Sequence, residues 1–207
     1  MSPAVSYPLL LNMGCGAKFK ENYLNLDIDP EYAPDIVFDL NQPLFAEPTR
    51  SFASKRFGSI VLHKNSFEQI LALDVLEHIP NLVTVMTSCL ELLRFGGSMH
   101  IFVPYDLSLG AWQDPTHVRT FNENSWQYYC EWFWRLGWTQ ARFHLQSLKF
   151  VLSSQGEKLK TSGMAMEEIA RTPRALDHMQ VELKKVRLSN DDLQTLAQCR
   201  PALAQKQ

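Results

Sequence analysis

The feature that most constrains the fold is a mostly apolar run that ends in two closely spaced glycines. Residues 9–13 have the length of a β-strand and are followed by Gly14, Cys15 and Gly16. Glycines at alternate positions let the backbone turn sharply and lie close to a ligand, where a Cβ would collide. We therefore predict a strand that leads into a ligand-binding loop.

A second predicted strand, over residues 23–28, ends in acidic residues. In nucleotide-binding α/β folds a carboxylate at this position accepts hydrogen bonds from ribose hydroxyls, which favours Asp27, with Asp29 as the second candidate. The dinucleotide fingerprint places its acid about 20 residues on, after a helix whose N-terminus binds the pyrophosphate. Residues 17–22 hold one or two helical turns at most. The spacing therefore favours a nucleoside without phosphates, such as S-adenosylmethionine.

Three further strands and one helix are predicted before residue 104. The strands cover residues 35–39, 67–73 and 98–103, and an amphipathic pattern over 81–95 predicts a helix that ends at Gly96-Gly97. The links between the first three strands are shorter than an ordinary parallel crossover. Either irregular loops make these crossovers or one pairing is unusual.

Five segments in this order resemble the class I S-adenosylmethionine-dependent methyltransferases over about residues 8–104. They are Leu-Asn-Met-Gly-Cys-Gly (11–16), Tyr-Leu-Asn-Leu-Asp (23–27), Asp-Ile-Val-Phe-Asp-Leu (35–40), Leu-Asp-Val-Leu-Glu-His-Ile (73–79) and Leu-Arg-Phe-Gly-Gly-Ser-Met-His-Ile (93–101). The short link after Gly16 is similar to the subset of the family that lacks a full first helix. Phe95 departs from the family, which often has proline before Gly-Gly.

The resemblance implies a fold, a cofactor and a set of contacts. The fold is α/β, a Rossmann-like, mostly parallel sheet flanked by helices, and the cofactor is S-adenosylmethionine. Asp39 would lie near the adenine, although Asp39 followed by Leu-Asn-Gln-Pro is also an ordinary turn. The expected cofactor contacts are Gly14, Cys15, Gly16, Asp27, Asp29, Asp39, Leu40, Asp74 and Val75.

Candidate catalytic residues follow the fourth and fifth strands. His78, beside Glu77, comes after the fourth strand, and the loop 105–121 after the fifth contains Asp114 and His117. A histidine titrates near neutral pH and can deprotonate a hydroxyl, so His117 is the first candidate for a base. His78 and Glu77 are equally consistent with capping the next helix, and His117 with a structural bond to Asp114.

The same loop contains residues suited to other roles. Trp112 would suit an apolar or sugar ring, and Arg119 an anionic acceptor. The Asp114-x-x-His117 spacing offers two metal ligands, which are too few to assign a metal site. We therefore expect a small-molecule or glycan-type acceptor and no metal.

The C-terminal quarter of the chain is predicted to be an appendage. Residues 138–152 are expected to form a hairpin or the sixth and seventh strands, after a helix over about 122–136. Polar composition with spaced apolar residues then predicts an amphipathic helical extension. The predicted domains are a methyltransferase-like domain over 5–152 and the extension over 153–207, which could pack against another subunit as a homo-oligomer.

Composition restricts the setting and the partners. The 207 residues are 45% apolar with a net charge of −2, so no overall field attracts nucleic acid. The four cysteines show no Cys-x-x-Cys spacing, which favours a reduced, cytoplasmic environment. No run of 18 apolar residues predicts a membrane span. Two other functions stay open: a catalytically silent cofactor-binding or regulatory module, and a nucleotide-sugar or nicotinamide enzyme on a similar sheet.

Overall fold

The computed structural model describes residues 7–204, which are arranged around a seven-stranded sheet. The strands are β1 (Leu10–Met13), β2 (Leu24–Asp27), β3 (Ile36–Val37), β4 (Thr49–Ser54), β5 (Gly58–His63), β6 (Phe67–Leu73), β7 (Leu93–Pro104), β8 (Ala141–Leu152) and β9 (Leu176–Arg187). The α-helices are α1 (Leu82–Leu92), α2 (Gln127–Cys130), α3 (Ser154–Thr161), α4 (Met166–Arg171), α5 (Asn190–Cys199) and α6 (Pro201–Ala204).

The order of the strands across the large sheet is β3-β2-β1-β6-β7-β9-β8. Strands β1, β2, β3, β6 and β7 pair in parallel, and β9 is antiparallel to both of its neighbours. The predicted α/β fold with a Rossmann-like, mostly parallel sheet is therefore confirmed. In this arrangement the loops after β1, β2, β6 and β7 all leave the same edge of the sheet, where ligands bind in open α/β folds.

Irregular loops make the short crossovers. Residues 14–23 connect β1 to β2, and residues 28–35, with a single 3₁₀ turn, connect β2 to β3. Two buried asparagines bind the first loop: Asn12 Nδ2 donates to the Lys18 carbonyl at 2.9 Å, and Asn25 Oδ1 accepts from the Lys20 amide at 2.9 Å. These bonds satisfy backbone groups that a crossover helix would otherwise pair within itself.

The segment after β6 differs from its prediction at one point. Helix α1 ends at Leu92 and passes directly into β7, whereas the sequence predicted that Gly96 and Gly97 would end the helix. The glycines lie inside β7, where Gly96 has a φ of +82° and a Cβ on Gly97 would lie about 3.0 Å from the carbonyl oxygens of Glu68 and Arg94. They lie where the pairing register between β6 and β7 shifts, as it does at a β-bulge.

The C-terminal region contains the main correction. The helical prediction is confirmed for residues 154–161, 166–171 and 190–199 but is wrong for residues 176–187, which form β9 in the middle of the sheet. Residues 138–152 contribute one strand, β8, in place of the predicted hairpin or pair of strands. Residues 123–136 form short helical turns in place of one helix. Helix α5 is joined to the sheet, since Asp192 of this helix accepts a 2.9 Å hydrogen bond from Arg142 of β8.

One continuous apolar core joins the two halves of the sheet. It extends from Leu11 and Leu26 through Ile70 and Met99 to Leu183, and each of these side chains is at most 1% exposed. The antiparallel hairpin of β4 and β5 lies outside the sheet but contributes to the same core. Within residues 7–204, no helix combines the length and apolar character needed to cross a membrane.

Candidate functional site

The glycine loop after β1 is held by packing on one side and is open on the other. Gly14 and Gly16 have φ values of +62° and +45°, which favour glycine. A Cβ on Gly14 would lie 2.2 Å from Val75 Cγ2, so the close approach at this position is to the loop after β6. A Cβ on Gly16 would meet no atom within 4 Å. Gly16 is therefore the glycine with free space beside it.

Asp27 and its neighbours stabilise the loops at the ends of β2 and β3. Asp27 is 8% exposed, and its Oδ2 accepts the Gly16 amide at 2.7 Å while its Oδ1 accepts the Asp29 amide at 3.0 Å. Asp29 caps the 3₁₀ turn by accepting from the Glu31 amide at 2.9 Å. Asp39 accepts from the backbone and side-chain nitrogens of Asn41, so it does form a turn. Each of the three carboxylates thus accepts hydrogen bonds from neighbouring amides and retains lone pairs that could accept further bonds.

Asp74, the first residue after β6, is held in an uncommon conformation. Its φ of +56° is rare for a residue with a side chain and is one of the conformations that concentrate at functional sites. Its Oδ1 is shielded from solvent and has no hydrogen-bond partner among the described residues; His178 Nε2 lies 3.8 Å away. Its Oδ2 forms a 2.9 Å ion pair with Lys18. This pair joins the loop after β1 to the loop after β6.

Lys18 was missed by the sequence interpretation. It lies two residues beyond Gly16 and is 65% exposed, and nothing in the one-dimensional pattern distinguishes it from other surface lysines. Its pairing with Asp74 depends on β1 and β6 being neighbours, which is a property of the strand order.

The loop 105–121 is anchored at both ends and in its middle. Tyr105 and Phe121 form a β-bridge at its base. The Val118 amide donates to the Glu77 carbonyl at 2.9 Å, and Arg119 donates to the Pro80 carbonyl at 2.6 Å. These bonds bring the loop onto the turn after β6, so residues more than 35 positions apart in sequence lie side by side. Arg119 therefore serves at least to hold the two loops together.

The two loops line an open, solvent-accessible cavity of about 480 Å³, which we call the end cavity. It lies at the carboxyl edge of the sheet and is lined by Asp74, Glu77, His78, Pro104, Gly110, Gln113, Asp114, Pro115, His117 and His178. A second cavity of about 420 Å³, the face cavity, shares Asp74 with it and contains Lys18. Neither cavity is lined by Asp27 or Asp39.

Glu77 is the most buried ionisable residue of the end cavity. It is 2% exposed, and its Oε2 has no hydrogen-bond partner among the described residues. Burial, reinforced by the nearby charge of Asp74, raises the pKa of Glu77 to about 7. A carboxyl group with this pKa exchanges its proton near neutral pH.

The two candidate histidines lie against each other beside Glu77. Their ring centres are 4.6 Å apart at an interplanar angle of 74°. His117 Nδ1 lies 2.9 Å from the Ala111 carbonyl oxygen, and His78 Nδ1 lies 2.8 Å from Thr116 Oγ1. The side chain of His117 is thus oriented by the Ala111 carbonyl. The alternative of a structural bond to Asp114 holds for the backbone alone, since the His117 amide donates to the Asp114 carbonyl at 3.2 Å.

Asp114 lies behind His78 in the loop. It accepts from the Thr116 amide at 2.8 Å and from the Thr116 hydroxyl at 2.6 Å, and these bonds lower the pKa of Asp114. Trp112 is 65% exposed at the tip of the loop. All three predicted catalytic residues, His117, His78 and Asp114, line the end cavity. The arrangement that would favour a silent module, with Glu77, His78 and His117 all directed away, is not found.

Comparisons with known proteins identify the fold. No protein-family model and no curated protein sequence matches the chain. Among solved structures, it is similar to an S-adenosylmethionine-dependent methyltransferase from Archaeoglobus fulgidus, with 15% identity, a TM-score of 0.53 and 87% of each chain covered. It is also similar to the cyclase SpnF, with 13% identity, a TM-score of 0.52 and coverage of 86% of this chain and 74% of SpnF.

A third structure, that of MccD, shows 14% identity and a TM-score of 0.51 over 85% of this chain and 89% of MccD. The fold is therefore one found in S-adenosylmethionine-dependent methyltransferases. The presence of a cyclase among the similar structures shows that chemistry must be argued from the site and not from the fold.

Proposed function

We propose that the chain transfers the methyl group of S-adenosylmethionine to a small-molecule or glycan-type acceptor bound in the end cavity. The observation that carries the proposal is the Lys18–Asp74 pair, in which a cation and an anion from two ligand-side loops meet at 2.9 Å. The amino-acid part of S-adenosylmethionine carries one carboxylate and one ammonium group. Lys18 and Asp74 have the complementary charges.

The residues around this pair fit the rest of the cofactor. Asp74 Oδ1 is buried without a partner, and an ammonium group would supply the missing hydrogen bond. The open space beside Gly16 allows a ligand to approach the backbone. Asp27 accepts one amide at each oxygen, which leaves one acceptor position per oxygen for ribose hydroxyls. Cys15, Asp29, Leu40 and Val75 remain proposed neighbours of the cofactor, with Asp39 near the adenine.

S-adenosylmethionine supplies an electrophilic methyl group on a sulfonium centre. The bond from the methyl carbon to the acceptor oxygen forms while the carbon–sulfur bond breaks, and the bonding electrons stay on sulfur to give S-adenosylhomocysteine. The protein accelerates such a transfer mainly by holding the nucleophile in line with the methyl group. Asp74 also lines the end cavity, and the acceptor would be held in this cavity.

An acceptor hydroxyl must also lose its proton, and His117 is the proposed base. Because Nδ1 of His117 lies against a carbonyl oxygen, Nε2 is the nitrogen with a free lone pair. Asp114 acts indirectly in this proposal, by orienting Thr116 and through it His78. Trp112, exposed at the rim of the loop, is suited to cover an apolar or sugar ring.

Calorimetric titration with S-adenosylhomocysteine and NAD tests the cofactor assignment. We expect S-adenosylhomocysteine to bind and NAD not to bind. Asp74→Asn should weaken binding at least about tenfold, because it removes the charge that faces the ammonium group. Asp191→Asn, on the exposed start of α5, is the matched control and should bind as the wild type does. Equal affinity of the Asp74 variant and the wild type would contradict the assignment.

His117→Ala tests the role of the base. Removing a positioned base costs about 10²–10⁴ in rate, while the cofactor contacts remain. We therefore expect unchanged affinity for S-adenosylhomocysteine and a loss of at least about 100-fold in its production from S-adenosylmethionine with an acceptor identified from a panel of small hydroxyl compounds and sugars. Wild-type turnover by the variant would make His117 a structural residue.

A further inference from the structure

Three side chains with metal-ligating atoms converge on the end cavity from two different loops. Glu77 and His78 come from the turn after β6, and His117 comes from the loop after β7. One ligating atom of each residue lies within 4.8 Å of those of the other two. A cation bound at about 2.1 Å from each ligand separates the ligands by about 3–4 Å, so side-chain movements of about 1 Å would bring the group to binding distance.

The hydrogen bonds of both histidines leave the same nitrogen free. The Ala111 carbonyl can only accept, so His117 Nδ1 carries the proton. The Thr116 hydroxyl gives its hydrogen to Asp114, so it accepts from His78 Nδ1. In each ring the Nε2 lone pair is therefore unoccupied. Histidines that bind metals are oriented in this way, with the second N–H donated to a carbonyl or carboxylate partner.

Glu77 supplies the independent observation that a ligand is missing. Glu77 is 2% exposed, and its Oε2 is shielded from solvent without a hydrogen bond from the described residues. Leaving such a group unpaired is costly, and a bound ion is one of the ways in which native structures complete such a site. A cation beside Oε2 would replace the lost solvation. The backbone bond from Val118 to the Glu77 carbonyl already fixes this residue next to His117.

We propose that Glu77, His78 and His117 form a binding site for one divalent transition-metal ion. Two imidazoles and one carboxylate suit Zn²⁺, Co²⁺, Mn²⁺ or Fe²⁺ better than Ca²⁺ or Mg²⁺, which prefer oxygen ligands. Three protein ligands leave coordination positions open toward the end cavity. The sequence pattern offered two possible ligands, Asp114 and His117. In the folded protein Glu77 and His78 lie beside His117, whereas Asp114 accepts a hydrogen bond from Thr116.

The use of this ion in catalysis rests on the proposed methyl transfer, whereas the site itself does not. A bound cation lowers the pKa of a hydroxyl that coordinates it, so the acceptor would release its proton to solvent before it attacks the methyl group. Nε2 of His117 has one lone pair and cannot bind a metal and a proton together. The metal-loaded protein would therefore use the ion in place of direct proton transfer to His117.

Metal titration of the full-length protein tests the site. After treatment with EDTA and dialysis, Co²⁺ binding is followed by visible absorption and Zn²⁺ binding by calorimetry. We expect one equivalent of either ion, a Co²⁺ spectrum of nitrogen and oxygen coordination, and affinity lowered at least tenfold in Glu77→Gln and His117→Ala. His100→Ala, in the face cavity, is the matched control and should bind as the wild type does. Wild-type protein that binds neither ion, or binding unchanged in both variants, would overturn the proposal.

Two further measurements keep the test decisive. If a ligand variant fails to fold, Thr116→Val, which removes the partner of His78 Nδ1 and no ligand, should still lower metal affinity by about tenfold. Binding of S-adenosylhomocysteine by metal-free protein separates the two proposals. Metal binding without S-adenosylhomocysteine binding supports the site and contradicts methyl transfer, and the reverse result contradicts the site alone.

Discussion

Two buried ionisable side chains, Glu77 and Lys185, lie at opposite ends of the parallel strands. They differ in the hydrogen-bond partners that their surroundings supply. Glu77, at the carboxyl edge, is 2% exposed and leaves Oε2 without a hydrogen-bond partner in the described structure. Lys185 of β9, at the other edge, is 4% exposed, and its Nζ donates to Asn65 Oδ1 at 2.7 Å and to the Leu93 carbonyl at 2.8 Å.

The difference lies in whether the protein itself supplies hydrogen-bond partners for the buried charge. Leu93 follows the last residue of α1, where helix carbonyls lack partners within the helix, and the ammonium group of Lys185 satisfies one of them. It also lies 4.8 Å from the centre of the Phe95 ring. Lys185 thus completes a helix end and needs no ligand. Glu77 is buried to a similar extent, but its Oε2 has no hydrogen-bond partner among the described residues, as we expect of the proposed ligand-binding group.

The strongest test of this contrast is Lys185→Met. The substitution keeps most of the side-chain length but leaves Asn65 Oδ1 and the Leu93 carbonyl without a donor, so we expect the free energy of unfolding to fall by about 2–4 kcal/mol. Urea denaturation measures the loss. Affinity for S-adenosylhomocysteine should not change, since the ligand loops are at the other edge; a large loss of affinity would contradict the separation of the two regions.

The pH dependence of stability provides a second test, because Glu77 and Lys185 should change stability with pH in opposite directions. Burial raises the pKa of Glu77 from 4.5 to about 7, so the folded state binds more protons than the unfolded state between these values, and stability falls as pH rises through this window. Burial lowers the pKa of Lys185 from 10.5 to about 8, so stability rises with pH between 8 and 10.5.

Each contribution amounts to about 3 kcal/mol over its window. Measured by urea denaturation of the metal-free protein, Glu77→Gln should lose the acidic slope and Lys185→Met the alkaline one, relative to the wild type. Above pH 7 Glu77→Gln should be at least as stable as the wild type, because no buried charge remains unpaired. Parallel pH profiles for the wild type and Glu77→Gln would show that the carboxyl group is solvated.

The smallest effect is expected at a surface pair beside Lys185. Lys64 Nζ lies 2.7 Å from Glu91 Oε1, and the two side chains are 43% and 31% exposed. Exposed pairs contribute about 0–1 kcal/mol, so Glu91→Gln should change the free energy of unfolding by less than about 1 kcal/mol at 0.15 M salt. A change as large as that of Lys185→Met would contradict the view that solvent exposure makes the Lys64–Glu91 pair weak.

The parts of the fold that could be predicted from sequence are those with local signals. Strand β6 has the predicted bounds, 67–73, and β1, β2 and β3 lie inside theirs, because each is a short apolar run bounded by glycine, proline or acidic residues. Strand β9 was missed because Met179, Val181 and Leu183 alternate with polar residues in a segment flanked by true amphipathic helices. Only its pairing with β7 and β8 decides its conformation.

The candidate site could be predicted as a list of residues but not as an arrangement. His78, Asp114 and His117 were identified from their positions after strands, and all three line the end cavity. That Glu77 and His78 face His117, and that Asp114 stands behind Thr116, depends on a backbone bond between residues 77 and 118. Lys18 and Asp74 are likewise brought together by the order of β1 and β6, which no local pattern encodes.

The position of β9 has a consequence for the time course of synthesis. Strand β8 is an edge strand whose neighbour in the sheet is β9, and β9 emerges from the ribosome more than 20 residues later. Until residue 187 has been added, β8 has no partner and the edge of β7 is unpaired, a state that favours aggregation. Strands β1, β2, β3, β6 and β7 can pair earlier during translation, but the sheet is completed only when β9 has been made.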